Sequence, residues 1–262
     1  MNCSLIISTY NWPEALEIVL ISAKRQTILP KEILIADDGS KNETSILIEK
    51  FKKKLSVPII HVWHEDKGFR KSEILNKSYS LAKEKYIIQI DGDIIMHKNF
   101  IKDHLKNAQE KVFVHGSRCF LNKTLTEKAI NDKITSFFFL KKGLKNKFNS
   151  LYIPFIAKFI KPNKSLKRTR GCNFSCYKND FILVNGYNED MTGWGKEDTE
   201  LSTRLINNNI HKKHLKGCAI TYHLEHKKLS RAGFNKNIEI LNNTISNKVK
   251  SCKNGVKKYL NE

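Results

Sequence analysis

The stretch that decides the fold is IIQIDGD, residues 87–93, in which a short apolar run ends in two aspartates. Three further apolar runs precede it, and stretches with apolar residues at helical spacing separate them. The runs are 5–7, 33–36 and 57–62, and the helical stretches are 13–26, 43–55 and 71–85. Continuous apolar strands that alternate with helices are typical of a parallel sheet covered on both faces. The sequence therefore predicts an α/β domain whose ligands bind beyond the carboxyl ends of the strands.

The second half of the chain is less regular. The expected strands are 112–114 and 170–177, and the expected helices are 100–108, 178–184 and 196–208. A basic, aromatic stretch from about 120 to 168 interrupts this series, and the last 36 residues are basic and polar with weak helical spacing. The α/β pattern therefore resumes after the basic stretch.

The chain is strongly positive. Its 47 lysines and arginines against 26 aspartates and glutamates give a formal net charge of +21. Residues 133–170 contain eleven basic and no acidic side chains, and residues 227–262 contain nine basic and two acidic ones. Such an excess implies an anionic partner, which could be nucleic acid, anionic lipid or a phosphorylated substrate.

The sequence carries few signs of membrane insertion or export. No apolar run reaches the ~20 residues that a spanning helix needs, and the N-terminus has no secretory pattern. The six cysteines form no CxxC pair, so we expect structural thiols in a reducing compartment. These features predict a cytoplasmic protein.

Polar residues stand where the predicted strands end. The three motifs are 8–11 (STYN), 37–40 (DDGS) and 91–93 (DGD). Asp91 and Asp93 can face one divalent cation, and their hard oxygen ligands suit Mg²⁺ or Mn²⁺, although a solvated turn is the alternative. No glycine-rich phosphate loop follows any strand, which argues against kinases, P-loop NTPases and dinucleotide dehydrogenases. A bound nucleotide would therefore need a metal for its phosphates.

A second candidate motif is GWGKED, residues 193–198, at the start of a predicted helix. The glycines beside Trp194 allow a loop that presents a flat apolar face, and sugars stack on such faces. Glu197 and Asp198 fall in the first helical turn, where the dipole favours anions and where a carboxylate could act as a general base. The alternative is an ordinary capped helix with a core tryptophan.

Two weaker signals remain. Either His223 or His226 could complete a metal site with Asp93, or both could be structural. Arg70 and Lys71 give a predicted helix a basic start, which attracts phosphate or forms a solvated face.

The ordered set of motifs resembles family 2 glycosyltransferases of the GT-A fold, whose Rossmann-like sheet is mainly parallel and flanked by helices. The matching segments are 8–11, 37–40, 70–76, 91–93, 171–175 (GCNFS), 185–187 (NGY) and 193–198. The stretch 171–205 is also similar to the catalytic region of beta-1,4-galactosyltransferases and bacterial chondroitin-type polymerases. The resemblance covers roughly residues 3–118 and 169–226.

This resemblance implies an inverting transfer of a hexose-type sugar from a nucleotide sugar, with UDP as the expected nucleotide. It implies Mn²⁺ or Mg²⁺ as cofactor and a hydroxyl of a glycan or lipid-linked glycan as acceptor. The implied pathway is bacterial surface polysaccharide or lipopolysaccharide synthesis.

The resemblance also implies roles for individual residues. Contacts to the nucleotide sugar fall on Ser8, Thr9, Tyr10, one of Asp37 and Asp38, Arg70, and Asp91. The metal-ligand positions are Asp93 and one of His223 and His226, and the catalytic positions are Asp198, as base, and its neighbour Glu197. The residues expected to line the sugar and acceptor pocket are Trp194, Gly193 and Asn173. Lys196 stands where relatives often have glycine, so acceptor approach is expected to differ.

The expected domain organisation is one GT-A domain over 1–226 and a basic C-terminal extension over 227–262. Within the domain, 1–118 form the nucleotide-binding half, 119–168 a basic helical insertion without a clear family counterpart, and 169–226 the acceptor and catalytic half. The cations and large apolar side chains of 133–170 suit a helix lying in an anionic membrane interface. We therefore expect peripheral attachment to the inner face of the cytoplasmic membrane. The alternatives are core packing of a helical lid and binding of an anionic glycan acceptor.

Other protein classes fit less well. A nucleic-acid binder would explain the charge, but the carboxylate cluster would repel phosphate, so nucleic acid is not an expected partner. A sugar nucleotidyltransferase would need a glycine-rich loop after the first strand. A non-catalytic protein of anionic surfaces would have no need of Asp93 and Asp198.

Overall fold

The computed structural model describes residues 1–167, 169–227 and 233–260. Within these ranges, eleven strands and eight α-helices form two sheets with helices on their faces. The strands are β1 (Ser4–Thr9), β2 (Glu32–Asp37), β3 (Ile59–Trp63), β4 (Tyr86–Asp91), β5 (Ile94–Met96), β6 (Val112–His115), β7 (Arg118–Leu121), β8 (Leu144–Lys145), β9 (Asn173–Tyr177), β10 (His211–His214) and β11 (Thr221–His223). The helices are α1 (Pro13–Lys24), α2 (Asn42–Lys52), α3 (Lys71–Leu81), α4 (Phe100–Lys106), α5 (Lys123–Asn131), α6 (Lys178–Leu183), α7 (Glu197–Asn207) and α8 (Phe234–Ser246).

The larger sheet has seven strands in the order β10-β6-β9-β4-β1-β2-β3. All neighbours are parallel except β9, which runs antiparallel to both β4 and β6. The smaller sheet has the order β5-β11-β7-β8. The prediction of a mainly parallel α/β sheet flanked by helices is therefore confirmed.

The central strands are apolar throughout because the sheet is covered on both faces. Leu5 and Ile7 of β1 lie in one buried cluster, and Ile6 lies in another with Leu34 and Ile87. Successive side chains of a strand point to opposite faces, so each apolar run serves two cores. The four predicted strands and the three helices between them are all present, with ends shifted by a few residues.

The C-terminal segment packs against the domain. Helix α8 contacts α7, and the short 3₁₀ helix Val256–Tyr259 contacts α3. Val256 is fully buried in the same cluster as Phe181 and Tyr187. Of the expected extension, residues 228–232 and 261–262 lie outside the described residues.

The prediction of an amphipathic helix over 133–170 is wrong. Helix α5 ends at Asn131, and the described part of the segment that follows contains strand β8 and two 3₁₀ helices, Lys147–Ser150 and Pro154–Phe159. Backbone with positive φ at Lys133, Gly143 and Asn146 interrupts any continuous helix. The helical content of the insertion is thus α5 and these short turns, and its last position, 168, lies outside the described residues. Within the described ranges, no helix has the length and hydropathy needed to cross a bilayer.

Candidate active site

The carboxyl ends of β1, β2 and β4 meet at one edge of the larger sheet. Thr9 pairs with Asp37 and Ser8 pairs with Asp91 in the strand register. The Ser8 hydroxyl donates to Asp91 Oδ1 at 2.9 Å. A Cβ on Gly92 would lie 2.9 Å from the Ser8 carbonyl oxygen, so only glycine fits between the two aspartates without a shift. The sheet therefore brings together the strand-end motifs that the sequence predicted.

Asp93, His223 and His226 form a three-residue cluster beside this edge. The Nε2 atoms of His223 and His226 lie 3.5 Å and 3.2 Å from Asp93 Oδ2, and the potential ligand atoms all lie within 4.8 Å of one another. Strand pairing explains the geometry, because His223 of β11 lies opposite Ile94, the residue after Asp93. Both histidines, rather than one, reach the aspartate.

The polar atoms of this cluster fit a divalent cation. Asp93 Oδ1 and His223 Nδ1 are buried without a hydrogen-bond partner in the described structure. Burial alone would raise the pKa of Asp93, but the hydrogen bond from His226 and the charge of His223 outweigh it and lower that pKa. An ionised carboxylate with an unused oxygen next to two imidazoles is a suitable ligand set for a metal. We call Asp93, His223 and His226 the metal triad.

Lys71 is the cation that reaches the strand edge. Its Nζ lies 2.6 Å from Asp91 Oδ1. Burial favours the neutral amine, but the charges of Asp91, Asp198 and Glu197 dominate and raise the pKa of Lys71. The lysine is therefore charged and lies within electrostatic reach of all three carboxylates.

The side chain of Arg70 bonds to residues near it in the chain. Its guanidinium donates to Glu73 Oε2 at 2.9 Å and to the Glu65 carbonyl, so the side chain is engaged away from Asp91. Its backbone N–H donates to Asp38 Oδ2 at 3.0 Å. Lys71, one residue further on, is the side chain that pairs with Asp91. The two basic residues are adjacent at the start of α3, and their side chains bond to different partners.

The two aspartates at the end of β2, Asp37 and Asp38, are held inside the protein. Asp37 accepts from the Ser40 backbone N–H at 2.8 Å and pairs with His61 at 2.8 Å. Asp38 pairs with His64 Nε2 at 2.7 Å in addition to its bond from Arg70. Both carboxylates are buried, so they shape the turn after β2, and Asp38 also ties that turn to the start of α3.

Two half-exposed aromatic rings border the same end of the sheet. Tyr10 and Trp63 are each 51% exposed. Tyr10 donates to Asp66 Oδ2 at 2.8 Å, and Trp63 Nε1 donates to the Ser40 carbonyl oxygen at 3.2 Å. Flat rings at the carboxyl end of a parallel sheet offer stacking surfaces to a base. The sequence analysis missed Trp63, although its position at the end of the third apolar run was a usable signal.

The carboxylates of Glu197 and Asp198, in the first turn of α7, lie close enough to Lys71 for their charges to raise its pKa. A Cβ on Gly171 would lie 2.2 Å from Asp198 Oδ1, which shows how closely the backbone approaches this carboxylate. Tyr187 donates to the same oxygen at 3.3 Å. Burial raises the pKa of Asp198, and the charge of Lys71 partly offsets this effect. A carboxylate whose pKa is raised is a stronger base when ionised, as general-base catalysis requires.

Glu197 has a different environment. Its Oε2 accepts from the Gly195 backbone N–H at 2.9 Å. Burial and then the charge of Asp198 raise its pKa to about 7. Glu197 thus holds the glycine loop, whereas Asp198 is partly exposed to the site.

The residues expected in the sugar and acceptor pocket divide into two groups. Trp194 is 40% exposed, and Gly193 has φ 80°, which glycine adopts readily. Asn173 is only 1% exposed. Its amide donates to the carbonyl oxygens of Ser117 and Ala219, and its Oδ1 contacts His104 Nε2. The expectation that Asn173 contacts a sugar is therefore wrong, because all its polar atoms are used in the interior.

Helix α8 holds the glycine loop from outside. Asn237 Nδ2 donates to the Gly195 carbonyl oxygen at 2.9 Å, and a Cβ on Gly195 would lie 2.8 Å from the Phe234 ring. Lys196 Nζ lies 5.7 Å from the centroid of that ring. The backbone of Lys196 has φ 76°, which is unfavourable for a residue with a side chain. The sequence analysis did not identify this contact, because it treated the C-terminal segment as an extension.

This fold and site define a glycosyltransferase of the GT-A type. Residues 4–172 match the family model described as glycosyl transferase family 2, and residues 155–227 match the model described as N-terminal domain of galactosyltransferase. The chain belongs to glycosyl transferase family 2. It is therefore a transferase, as the motifs predicted.

Individual known proteins resemble the chain at low identity. Chondroitin synthase of Escherichia coli is 22% identical over 239 residues, which are 85% of this chain and 34% of that protein. S. aureus TarS 1-349 in complex with UDP-GlcNAc has a TM-score of 0.66 and 16% identity, covering 100% of this chain and 72% of that one. The mannosyltransferase PcManGT from Pyrobaculum calidifontis, in complex with GDP-Man and Mn²⁺, has a TM-score of 0.63 and 14% identity, with coverage of 99% and 68%. The chain thus shares the fold of nucleotide-sugar-binding enzymes and spans about a third of the length of the curated relative.

Proposed function

We propose that this enzyme transfers a hexose-type sugar from a UDP-sugar to a hydroxyl of a glycan or lipid-linked glycan, with inversion at the anomeric carbon. The observation that carries the proposal is that Lys71 pairs with Asp91 while its charge also acts on the α7 carboxylates and on Asp93 of the metal triad. This arrangement puts groups suited to phosphate, metal and proton transfer within one site. The proposed setting is bacterial surface polysaccharide or lipopolysaccharide synthesis, in keeping with the polysaccharide synthase among its relatives.

The donor nucleotide is proposed to bind at the ends of β1 to β3. Ser8, Thr9 and Asp91 lie at this edge, and Tyr10 and Trp63 offer their rings to the base. Uridine is proposed because the structurally similar TarS is known with UDP-GlcNAc. Lys71 would contact the phosphates, since a charged amine suits them.

The metal triad would hold Mn²⁺ or Mg²⁺ through one carboxylate and two imidazoles. When bound, the cation neutralises the charge of the departing diphosphate as a Lewis acid. Mg²⁺ prefers oxygen ligands, so the two nitrogen ligands favour Mn²⁺. PcManGT, which shares the fold, is known with Mn²⁺.

Asp198 is proposed as the general base. It takes the proton of the acceptor hydroxyl while that oxygen forms its bond to the anomeric carbon and the bond to the diphosphate breaks on the opposite face. One displacement of this kind inverts the configuration and needs no covalent enzyme intermediate. Tyr187 and the Gly171 backbone hold the Asp198 carboxylate in place, and Trp194 is proposed to line the acceptor side.

The proposal is tested by a donor screen that measures nucleoside diphosphate release from a series of nucleotide sugars in the presence of Mn²⁺. We expect release from a UDP-hexose by the wild-type enzyme. Asp198→Asn should bind the donor normally and lower kcat by ~10² or more, the usual scale for a lost acid–base group. Asp132→Asn changes an exposed carboxylate at the end of α5 and serves as the control. Release by Asp198→Asn at the control rate would contradict the assignment.

Peripheral attachment to an anionic membrane is a separate part of the proposal. Five large apolar side chains of the insertion are between 58% and 78% exposed: Phe138, Leu140, Phe148, Phe155 and Phe159. The segment that carries them has no acidic residue, so its lysines are available to anionic headgroups. Exposed apolar groups among cations favour a membrane surface over simple core packing. An enzyme that extends a lipid-linked glycan would gain from being held there.

A further inference from the structure

Arg118 lies on the same face of the smaller sheet as His223 of the metal triad. Strand β7 runs parallel to β11, with Arg118 opposite Thr221 and Phe120 opposite His223. Cys119, between them, is buried in the apolar cluster on the other face. The rings of Phe120 and His223 are 5.3 Å apart, centroid to centroid. Arg118 is therefore two residues along the strand from a ring that touches a metal-triad histidine.

Among the residues that the structure describes, the guanidinium of Arg118 has no anionic partner. Its Cζ lies 4.6 Å from the centroid of the Phe120 ring, and its Nη1 donates to Cys172 Sγ at 3.3 Å. Burial raises the pKa of the Cys172 thiol to about 12, so that partner is neutral. The Nε atom of Arg118 is buried without a hydrogen bond, and no carboxylate of the described residues lies within ion-pair distance.

A partly buried cation without a counter-ion is costly, and proteins normally pair it. The two residues that contact Arg118, Cys172 and Phe120, adjoin the proposed base and the metal triad. Cys172 follows Gly171, whose backbone contacts Asp198, and Phe120 contacts His223 of the metal triad. An anion bound between the metal triad and Asp198 would neutralise the guanidinium, and the proposed transfer places the donor's diphosphate and sugar in that position.

We propose that Arg118 binds an anionic group of the donor between the metal triad and the catalytic base. This inference rests on the proposed function and adds a residue that selects the donor. The group is an oxyanion, either the terminal phosphate or a carboxylate on the transferred sugar. The planar guanidinium matches both in bidentate geometry, and a thiol and an aromatic face hold it without competing for its charge.

The test is a calorimetric titration of wild-type enzyme and Arg118→Gln with UMP, UDP, UDP-glucose and UDP-glucuronate in buffer with Mn²⁺. Arg25→Gln is the matched control, because Arg25 contacts Thr135 and lies outside the site. If the phosphate is the ligand, Arg118→Gln should bind UDP about tenfold or more weakly while UMP binding is unchanged. If a sugar carboxylate is the ligand, only the preference of the wild type for UDP-glucuronate over UDP-glucose should be lost. Arg118→Lys keeps the positive charge, so it should retain part of the wild-type affinity for UDP in the first case and part of the preference for UDP-glucuronate in the second.

Two results would overturn the proposal. One is binding of all four ligands by Arg118→Gln with the affinities of Arg25→Gln. The other is an equal loss of affinity of Arg118→Gln for UMP and for all three diphosphates. That result would show that Arg118 stabilises the folded site and does not bind the anionic group. Failure of the wild type to bind any of these, or the corresponding guanosine and thymidine nucleotides, would instead refute the proposed function and this ligand with it.

Discussion

Lys71 and Asp91 form an ion pair, with 2.6 Å between Nζ and Oδ1, that joins the start of α3 to the end of β4. The charge of Lys71 also lowers the pKa of Asp198, which burial raises. A single part-buried cation is therefore coupled to three carboxylates that belong to β4 and α7.

The pair sets the pH dependence that we expect. Asp198 must be ionised to accept a proton, so kcat should fall as the pH drops through its pKa. Because burial raises that pKa, the acid limb should lie above the ~3.9 of an ordinary aspartate. Lys71→Met removes the charge that lowers the pKa of Asp198. The acid limb of the kcat profile should therefore move to higher pH by about one unit.

Profiles of kcat against pH check this expectation. Lys77→Met is the matched control, since Lys77 lies on the same helix and pairs with Glu73. An acid limb that stays in the same place in Lys71→Met would contradict the coupling between Lys71 and the base.

Metal removal should abolish transfer. Excess EDTA should stop turnover, and Mn²⁺ should restore it at lower concentration than Mg²⁺ because two ligands are nitrogens. Asp93→Ala and His226→Ala should weaken Mn²⁺ binding, measured directly by calorimetry, whereas His97→Ala, which removes a ring stacked on Tyr152, should not. Full turnover in EDTA, or in Asp93→Ala, would show that the cluster is not a functional metal site.

Loss of a contact between α8 and the glycine loop should lower kcat more than it lowers donor affinity. Asn237→Ala removes the amide that donates to the Gly195 carbonyl oxygen and leaves the loop before Asp198 less well held. We expect kcat to fall on the order of tenfold with little change in donor affinity, since one buried hydrogen bond is lost. Asn243→Ala, on the exposed side of the same helix, is the control. Equal kinetics in the two variants would remove α8 from any role in positioning the loop.

Membrane attachment should depend on exposed phenylalanines and on anionic lipid. Deleting the whole insertion would also remove Phe137 and Ala157 from the core, so point variants are preferable. The double variant Phe148→Ser and Phe159→Ser should lose co-sedimentation with anionic liposomes, and Ile46→Ser, an exposed apolar residue of α2, should keep it. Negligible sedimentation of the wild-type protein with anionic and neutral vesicles alike would reject attachment.

The sequence was most informative where one physical rule governs a whole segment. Apolar runs followed by polar motifs located β1, β2 and β4 and the edge at which they meet. The roles of Lys71 and Asn173 were not predictable in this way. Adjacent residues such as Arg70 and Lys71 differ in direction only once α3 is packed. Asn173 is bonded to carbonyl groups of Ser117 and Ala219, which lie in loops far from it in the sequence. Helix α8 contacts residues some 40 positions away, which no local pattern reveals.

The prediction of a helix in the insertion was wrong for a related reason. Its composition suits an interfacial helix, but tertiary contacts override the pattern. Phe137 packs with Tyr222, and Leu144 pairs with Leu121, so the chain follows the smaller sheet. Such long-range pairing lies outside what charge and hydrophobicity along the segment can predict.

The most direct test of the account is the anomeric configuration of the product. Proton NMR should be recorded during the first turnovers with an α-linked UDP-hexose, the donor identified by the screen, and water or a simple glycan as acceptor. A single displacement with Asp198 as base predicts that the sugar first appears in the β configuration. First appearance in the α configuration would contradict the central claim of an inverting transfer.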